Sequence, residues 1–333
     1  MKKFTLKNPA SGRSLQLIQP RNFRINYERE LNSSQYEAVT SVDGPHLVIA
    51  GAGTGKTRTI VYRVAYLVEL GVKPDSILLL TFTRKAAQEM LRKASMLLDS
   101  RCERISGGTF HSFANSVLRK YASLLGYENN FTILDQTDAE DVINLIRTRM
   151  KLDAREKRFP RKDILFDIYS RSVNTEISIR EMLVKYYPQY LELEPDIINL
   201  HSVYQRYKKE HNLMDYDDLL LNLVKLLELN DPIRATLSER YKYIMVDEYQ
   251  DTNRLQADIV KLLAFKHKNI MVVGDDAQCI YSFRGSTIKN ILTFAQEFEN
   301  CKVIKLEENY RSTQPILNLA NAILLGEIPD SKE

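Results

Sequence analysis

Two short stretches carry residue types that could do phosphate chemistry. The first is AGAGTGKT (50–57), which follows the apolar run HLVIA (46–50) and opens a helical pattern. A strand, a glycine-rich turn and a helix in that order are the context of a P-loop. Gly51, Gly53 and Gly55, with Ala52 and Thr54 between them, let the backbone curl so that its N–H groups point at phosphate oxygens. The helix that follows adds its positive dipole end. Lys56 supplies a point charge to the β- and γ-phosphates, and the Thr57 hydroxyl can ligate Mg²⁺. Ala50 stands where the first glycine is usual, and a small residue is tolerated there. The second stretch is YIMVDEYQDT (243–252), an apolar strand ending in an acidic pair. In this Walker B arrangement Asp247 holds Mg²⁺ through water and Glu248 polarises the attacking water as general base. An acidic pair at a strand end is also compatible with a plain solvated loop, and the P-loop in the same chain favours chemistry.

These residues need a scaffold. The runs at 46–50, 76–82, 243–248, 269–275 and 301–306 are short, rich in Ile, Val and Leu, and mostly not alternating. That pattern predicts strands buried on both faces of a parallel sheet. Helical stretches at 56–70, 84–98 and 254–265 lie between them. This is the βαβ rhythm of an open α/β domain, whose ligands bind at the carboxyl ends of the strands. The rhythm breaks between about 112 and 209, where helical periodicity, many charges and the basic block RTRMKLDAREKRFPRK (147–162) predict an inserted helical subdomain. The first 27 residues mix prolines and a glycine with basic residues and read as a loosely packed arm.

Composition narrows the class. The chain has 333 residues, 44% hydrophobic and 27% charged, which excludes a disordered or fibrous protein and suggests about two domains. A net charge of only +4 is compatible with nucleic acid without demanding it. The three cysteines show no paired spacing, so a reducing cytoplasm is the better reading. No apolar run approaches the roughly 18–20 residues of a membrane span. The five histidines show no ligand spacing with cysteine or acid, so a structural metal is unsupported.

With the two phosphate motifs placed, the chain resembles the UvrD/Rep/PcrA-type helicases of superfamily 1 from about residue 28 to 325. LNSSQYEAV (31–39) resembles the Q motif, TFTRKAAQEM (81–90) motif Ia with Arg84 where Asn is usual, and GTFHSF (108–113) motif Ib. MDYDDLL (214–220), VVGDDAQCIYSFRGS (272–286) and LEENYRST (306–313) resemble three further motifs, and FTILDQTDAED (131–141) resembles the start of the family's inserted 1B subdomain.

The resemblance implies a RecA-like P-loop NTPase sheet with that helical insertion, using ATP and Mg²⁺. It implies that Gln35 reads the adenine edge, Tyr310 stacks on the adenine and Arg58 lies near the nucleotide. Gln278 would sense the γ-phosphate, and Arg311 would act as an arginine finger. Phe82, Thr83, Thr109, His111, Tyr281 and Phe283 would line a single-strand path, on which flat side chains stack on bases while polar groups hold phosphates. Phe283 stands where many relatives use Trp, and Ala277 and Cys279 replace residues more often Asp and Ser.

The implied organisation is an N-terminal extension (1–27), a RecA-like domain 1A in two parts (28–111 and 210–307), the inserted subdomain 1B (112–209) and the start of domain 2A (308–333). On that reading the second RecA-like domain is absent and the fragment is a monomer without membrane association. The implied activity is ATP-driven 3′→5′ translocation on single-stranded DNA and unwinding of duplex DNA, in repair or replication. The motor half of a RecB/AddA-type helicase–nuclease shares the same motifs, and an ATP-gated single-strand binding module is the non-enzymatic alternative.

Overall fold

The computed structural model describes residues 23–152, 159–275 and 289–324. In chain order its strands are β1 (His46–Ala50), β2 (Ile77–Thr81), β3 (Ser106–Thr109), β4 (Thr132–Ile133), β5 (Leu213–Met214), β6 (Tyr243–Val246), β7 (Ile270–Gly274) and β8 (Lys302–Leu306). Six of them form one sheet in the order β3-β2-β6-β7-β1-β8, and every pairing is parallel. The carboxyl ends of all six therefore share one edge, and the loops that follow them converge there.

The five apolar runs become five of the six sheet strands because both faces are covered. Leu78, Leu80, Ile244, Val246, Ile270 and Val272 point into one core. Their neighbours Ile77, Leu79, Met245, Met271 and Val273 point into the other. A strand with no wet face needs no polar alternation. The edge strand β8 does alternate, with Val303 and Lys305 exposed and Ile304 and Leu306 buried. The other edge strand, β3, reads SGGT and has no apolar signal at all. It pairs with β2, and Leu91 lies so close that a Cβ at Gly107 would meet its Cδ1 at 2.7 Å.

Packing divides the expected insertion at 112–209 differently from the break in rhythm. The helix Phe110–Tyr121 lays Phe110, Phe113, Val117 and Leu118 into the core beneath the sheet. A separate core begins only at Leu134 and runs to Tyr204, contributed by the helices Gln136–Arg149, Lys162–Thr175, Ile179–Tyr186 and Glu194–Glu210. Where the chain leaves and returns, β4 and β5 pair in parallel, with Thr132 opposite Leu213 and Ile133 opposite Met214.

This neck is held by buried charge. Lys208, 1% exposed, places Nζ 2.5 Å from Asp215 Oδ2 and 2.6 Å from Asp218 Oδ2. Burial opposes charge on Asp215, but Lys208 outweighs it and holds that carboxyl below its ordinary range. Asp215 and Asp218 also form the capping box that starts the helix Tyr216–Leu229. Asn174 then donates to Asp217 Oδ1 at 2.7 Å and accepts from Asn253 Nδ2 at 2.6 Å. The neck is thereby tied to the segment that follows the acidic pair.

Removing one partner of a buried ion pair leaves uncompensated charge and costs about 3–5 kcal/mol. Lys208→Met should destabilise the chain on that scale in urea unfolding. A loss below about 1 kcal/mol, the range of an exposed pair, would contradict the role given to this cluster.

A candidate nucleotide site at the carboxyl edge of the sheet

The loop after β1 turns through two left-handed glycines. Gly53 has φ +83° and Gly55 φ +90°, a region that L side chains rarely adopt. The space is closed as well. A Cβ at Gly55 would lie 2.6 Å from Gln35 Nε2, and one at Gly53 would lie 2.6 Å from Arg311 Cβ. Gly51 carries no such demand, since the nearest neighbour of a Cβ there is 3.8 Å away. The curl thus depends on two of the three glycines. Thr54 Oγ1 donates to the Gly51 carbonyl at 2.8 Å, and Gly55 is the N-cap of the helix Lys56–Glu69. With no side-chain cap, the first N–H groups of that helix face the cleft as an anion site.

Gln35 is buried and its amide is used within the protein. Nε2 donates to the Thr54 carbonyl at 3.0 Å, and Oε1 accepts from the Asn32 backbone in a capping box. Gln35 thus braces the P-loop from behind.

The acidic pair follows β6. Asp247 donates its backbone N–H to the Leu80 carbonyl at 3.0 Å, which continues the β2–β6 ladder by one residue. Glu248 then takes φ +51°, uncommon for a residue with a Cβ, and turns the chain sharply. Its Oε2 accepts from Lys56 Nζ at 2.8 Å and from Gln250 Nε2 at 2.7 Å. Gln250 Oε1 in turn accepts the Asp275 N–H at 3.0 Å, which links the ends of β6 and β7. A Cβ at Gly274 would lie 2.7 Å from that same oxygen, so a side chain there would displace the Gln250 amide.

Tyr310 and Arg311 close the other side. The Tyr310 N–H donates to the Gly53 carbonyl at 2.9 Å. Asn309 Nδ2 donates to the Ala52 carbonyl at 2.6 Å, while Asn309 Oδ1 accepts from the backbones of Arg311 and Ser312 at 2.9 Å each. The Tyr310 hydroxyl accepts from Asn32 and donates to Glu308, both at 2.8 Å, and the residue is 62% exposed. Arg58 lies 4.5 Å over the Tyr62 ring and donates to the Glu30 carbonyl at 2.8 Å.

These elements enclose two adjoining clefts. One, about 520 Å³, is lined by Gly53, Gly55, Lys56, Arg58, Tyr310 and Arg311 among others. The second, about 440 Å³, is lined by Phe82, Thr83, Asp247, Glu248 and Asp251 among others. Thr57, Glu248 and Lys93 line both.

The other expected site residues are placed less centrally. Phe82 is 38% exposed at the end of β2. Thr83 Oγ1 accepts from the Ala86 N–H at 3.1 Å and Thr109 Oγ1 from the Ser112 N–H at 3.2 Å, so both threonines cap helices. His111 packs edge-on to Tyr216 at 5.8 Å, and burial pushes its pKa below the ordinary value. Thr109 and His111 line neither cleft. Gln278, Tyr281 and Phe283, with Ala277 and Cys279, lie outside the described residues. Reading the motifs misses Asn309, Gln250, Asp251 and Lys93. The first three stand inside quoted motifs as NYR and YQD, so their polarity beside assigned residues was the available signal.

The donor set fits Mg²⁺ bound with nucleotide phosphates. Asp247 is 7% exposed, and its Oδ1 is buried without a hydrogen-bond partner among the described residues; Asp251 Oδ1 is in the same position. Orphaned carboxylate oxygens beside a phosphate loop suit a hard cation that prefers oxygen ligands. Burial, with the Glu248 carboxylate nearby, pushes Asp247 up to about 7 and Asp251 to about 6.

Asp247 holds its proton to higher pH in the folded chain than in the unfolded one, so its ionisation costs stability as pH rises from about 4 towards 7. In ligand-free protein Asp247→Asn should therefore raise the melting temperature at pH 8 more than at pH 5. Equal shifts at both pH values would contradict the burial argument.

A family model described as the UvrD/REP helicase N-terminal domain matches residues 31–299. A Staphylococcus aureus protein named ATP-dependent DNA helicase PcrA is 40% identical over 297 residues, covering 88% of this chain and 40% of that protein. A Staphylococcus epidermidis protein of the same name is 40% identical over 297 residues, covering 89% of this chain and 40% of its own length. The chain thus spans about 40% of the length of these curated relatives. With the phosphate loop, the acidic pair and the Tyr310–Arg311 turn gathered on one sheet edge, the chain belongs to the family of UvrD/REP helicase N-terminal domains.

Proposed function

We propose that these residues form the ATP-binding half of a DNA-stimulated motor, an ATP-dependent helicase or translocase acting on single-stranded and duplex DNA. The observation that carries this reading is the convergence of Lys56, Asp247, Glu248 and Arg311 on adjoining clefts beside an orphaned carboxylate oxygen. When bound, Mg·ATP would supply the phosphoanhydride to be cleaved and a cation to neutralise its charge. Thr57 and Asp247 hold that cation through oxygen. Lys56, paired with Glu248 in the ligand-free chain, would hold the β- and γ-phosphates, and Glu248 would then be free to take a proton from the attacking water. Gln250 keeps Glu248 oriented, and Asn309 holds Arg311 near the phosphates. Tyr310 offers an exposed ring for stacking, while Arg58, Gln35 and Gln278 complete the assignment of nucleotide contacts.

The strand path is read as Phe82, Thr83, Thr109 and His111, with Tyr281 and Phe283 outside the described residues. Phe82 lining the same cleft as Glu248 supports coupling between strand and nucleotide. We assign the six-stranded sheet, with the helix Phe110–Tyr121 packed beneath it, to one RecA-like domain carrying the insertion, and 308 onward to a second domain that closes over the cleft. The exposed face of the helix Gln314–Leu324, with Ile316, Leu319 and Ile323 each more than half accessible, supports that closure. Movement in the 3′→5′ direction and service in DNA repair or replication follow from the family reading.

Glu248→Gln separates binding from chemistry. It should keep Mg·ATP affinity, or raise it because Lys56 is released, and slow hydrolysis by about 10²–10⁴-fold, the usual worth of a general base. Calorimetry and single-turnover phosphate release check the two halves. Unchanged hydrolysis in a folded variant would sink the assignment.

A further inference from the structure

Away from the nucleotide clefts, a groove of about 400 Å³ lies along the strand β3 at the edge of the sheet. One wall is the helix Arg84–Leu97, which packs with one core, and the other is the helix Phe110–Tyr121, which packs with the opposite core. The groove therefore follows the sheet edge between two helical layers. Its lining includes Arg84, Lys120 and Arg240 and contains no aspartate or glutamate. All three cations are exposed, and none makes an ion pair among the described residues. Many cations elsewhere on the chain do pair, such as Lys93 with Glu89, Arg104 with Asp75 and Lys261 with Glu297.

Sequence spacing builds one wall. Ser112, Ser116 and Lys120 recur every four residues, so they share one helix face. The hydroxyls of Ser112 and Ser116 donate back to the Thr109 and Phe113 carbonyls, so positive charge rather than hydroxyl donation defines the groove. The floor at Gly107 and Gly108 is covered by Leu91 and Ser112, which pack closely enough that a Cβ at either glycine would meet them. At its upper end Arg84 follows Thr83 and Ser112 follows His111 directly in the chain. The groove is thus continuous with the carboxyl ends of β2 and β3, where the strand path was assigned.

We propose that this groove holds the phosphodiester backbone of single-stranded nucleic acid, extending the strand path beyond the motif residues and down the edge of the sheet. The inference rests on the DNA-binding reading above. An elongated basic groove without carboxylates and with no aromatic stack but Phe113 and Tyr241 at its wall suits backbone phosphates rather than bases. Its contacts are blind to sequence and sensitive to salt.

The test compares the chain with a Lys120→Gln, Arg240→Gln double variant, which leaves every motif residue intact. Binding of fluorescent oligothymidylates of roughly 8 and roughly 25 nucleotides, lengths chosen around the site sizes of single-strand binders, is followed by anisotropy across a salt series. The long strand should bind the variant more weakly, with the slope of log affinity against log salt reduced by about 1.4, the worth of two phosphate contacts on a single strand. The short strand should bind both proteins alike. Equal affinity and slope for the long strand would overturn the groove while leaving the motif path standing. Failure of the unaltered chain to bind either strand would overturn both. Matching melting curves establish that the variant is folded.

Discussion

A carboxylate held out of water at the end of β6 is the constraint on which the site depends. Asp247 follows a strand flanked by β2 and β7 and covered on both faces, so it is mostly buried and meets solvent only at the cleft it lines. One of its oxygens has no donor among the described residues, and burial raises the cost of ionising it. Lys56 answers that cost only in part, because its bond goes to Glu248. A cation brought by a phosphate ligand would satisfy Asp247, while the phosphate itself would draw Lys56 away. The ligand-free arrangement is thus a pair of incomplete charge balances that one ligand can complete together.

The surrounding fold keeps those balances in register. Gly53 and Gly55 leave no room for a side chain between the P-loop, Gln35 and Arg311. Gln250 spans from Glu248 to the backbone after β7, and Asn309 binds the P-loop to the turn that carries Arg311. Behind the site, Asn253 and Asn174 connect the same region to the buried Lys208 cluster at the neck of the insertion. A shift of the acidic pair would be felt along that chain of hydrogen bonds.

Much of this was legible in the residues. Four of the six sheet strands announce themselves because doubly covered strands read as apolar runs, and the edge strand β8 by its alternation of exposed and buried residues. β3 does not, since SGGT is chosen for close approach to Leu91 and carries no hydrophobic signal. The insertion begins later than the change of rhythm because the helix Phe110–Tyr121 is amphipathic in either setting; only packing shows that its apolar face meets the sheet. Lys56, Thr57, Asp247 and Glu248 were legible as motifs. The pairing of Lys56 with Glu248 was not, since it joins residues 192 positions apart. Lys208 looks like any helix lysine in sequence, and Arg84, Lys120 and Arg240 come from three distant segments. Burial of the first, and the gathering of the other three in a groove lined by no acid, exist only in three dimensions.

The central claim is that the cleft between the P-loop and the β6 carboxylates takes nucleotide and divalent cation as one unit. Calorimetric titration of ATP into the unaltered chain, once with Mg²⁺ and once with EDTA, tests it directly. The account predicts saturable binding with Mg²⁺ and at least tenfold weaker binding without it, a difference of about 1.4 kcal/mol or more. Equal affinity in the two conditions, or no binding in either, would contradict it.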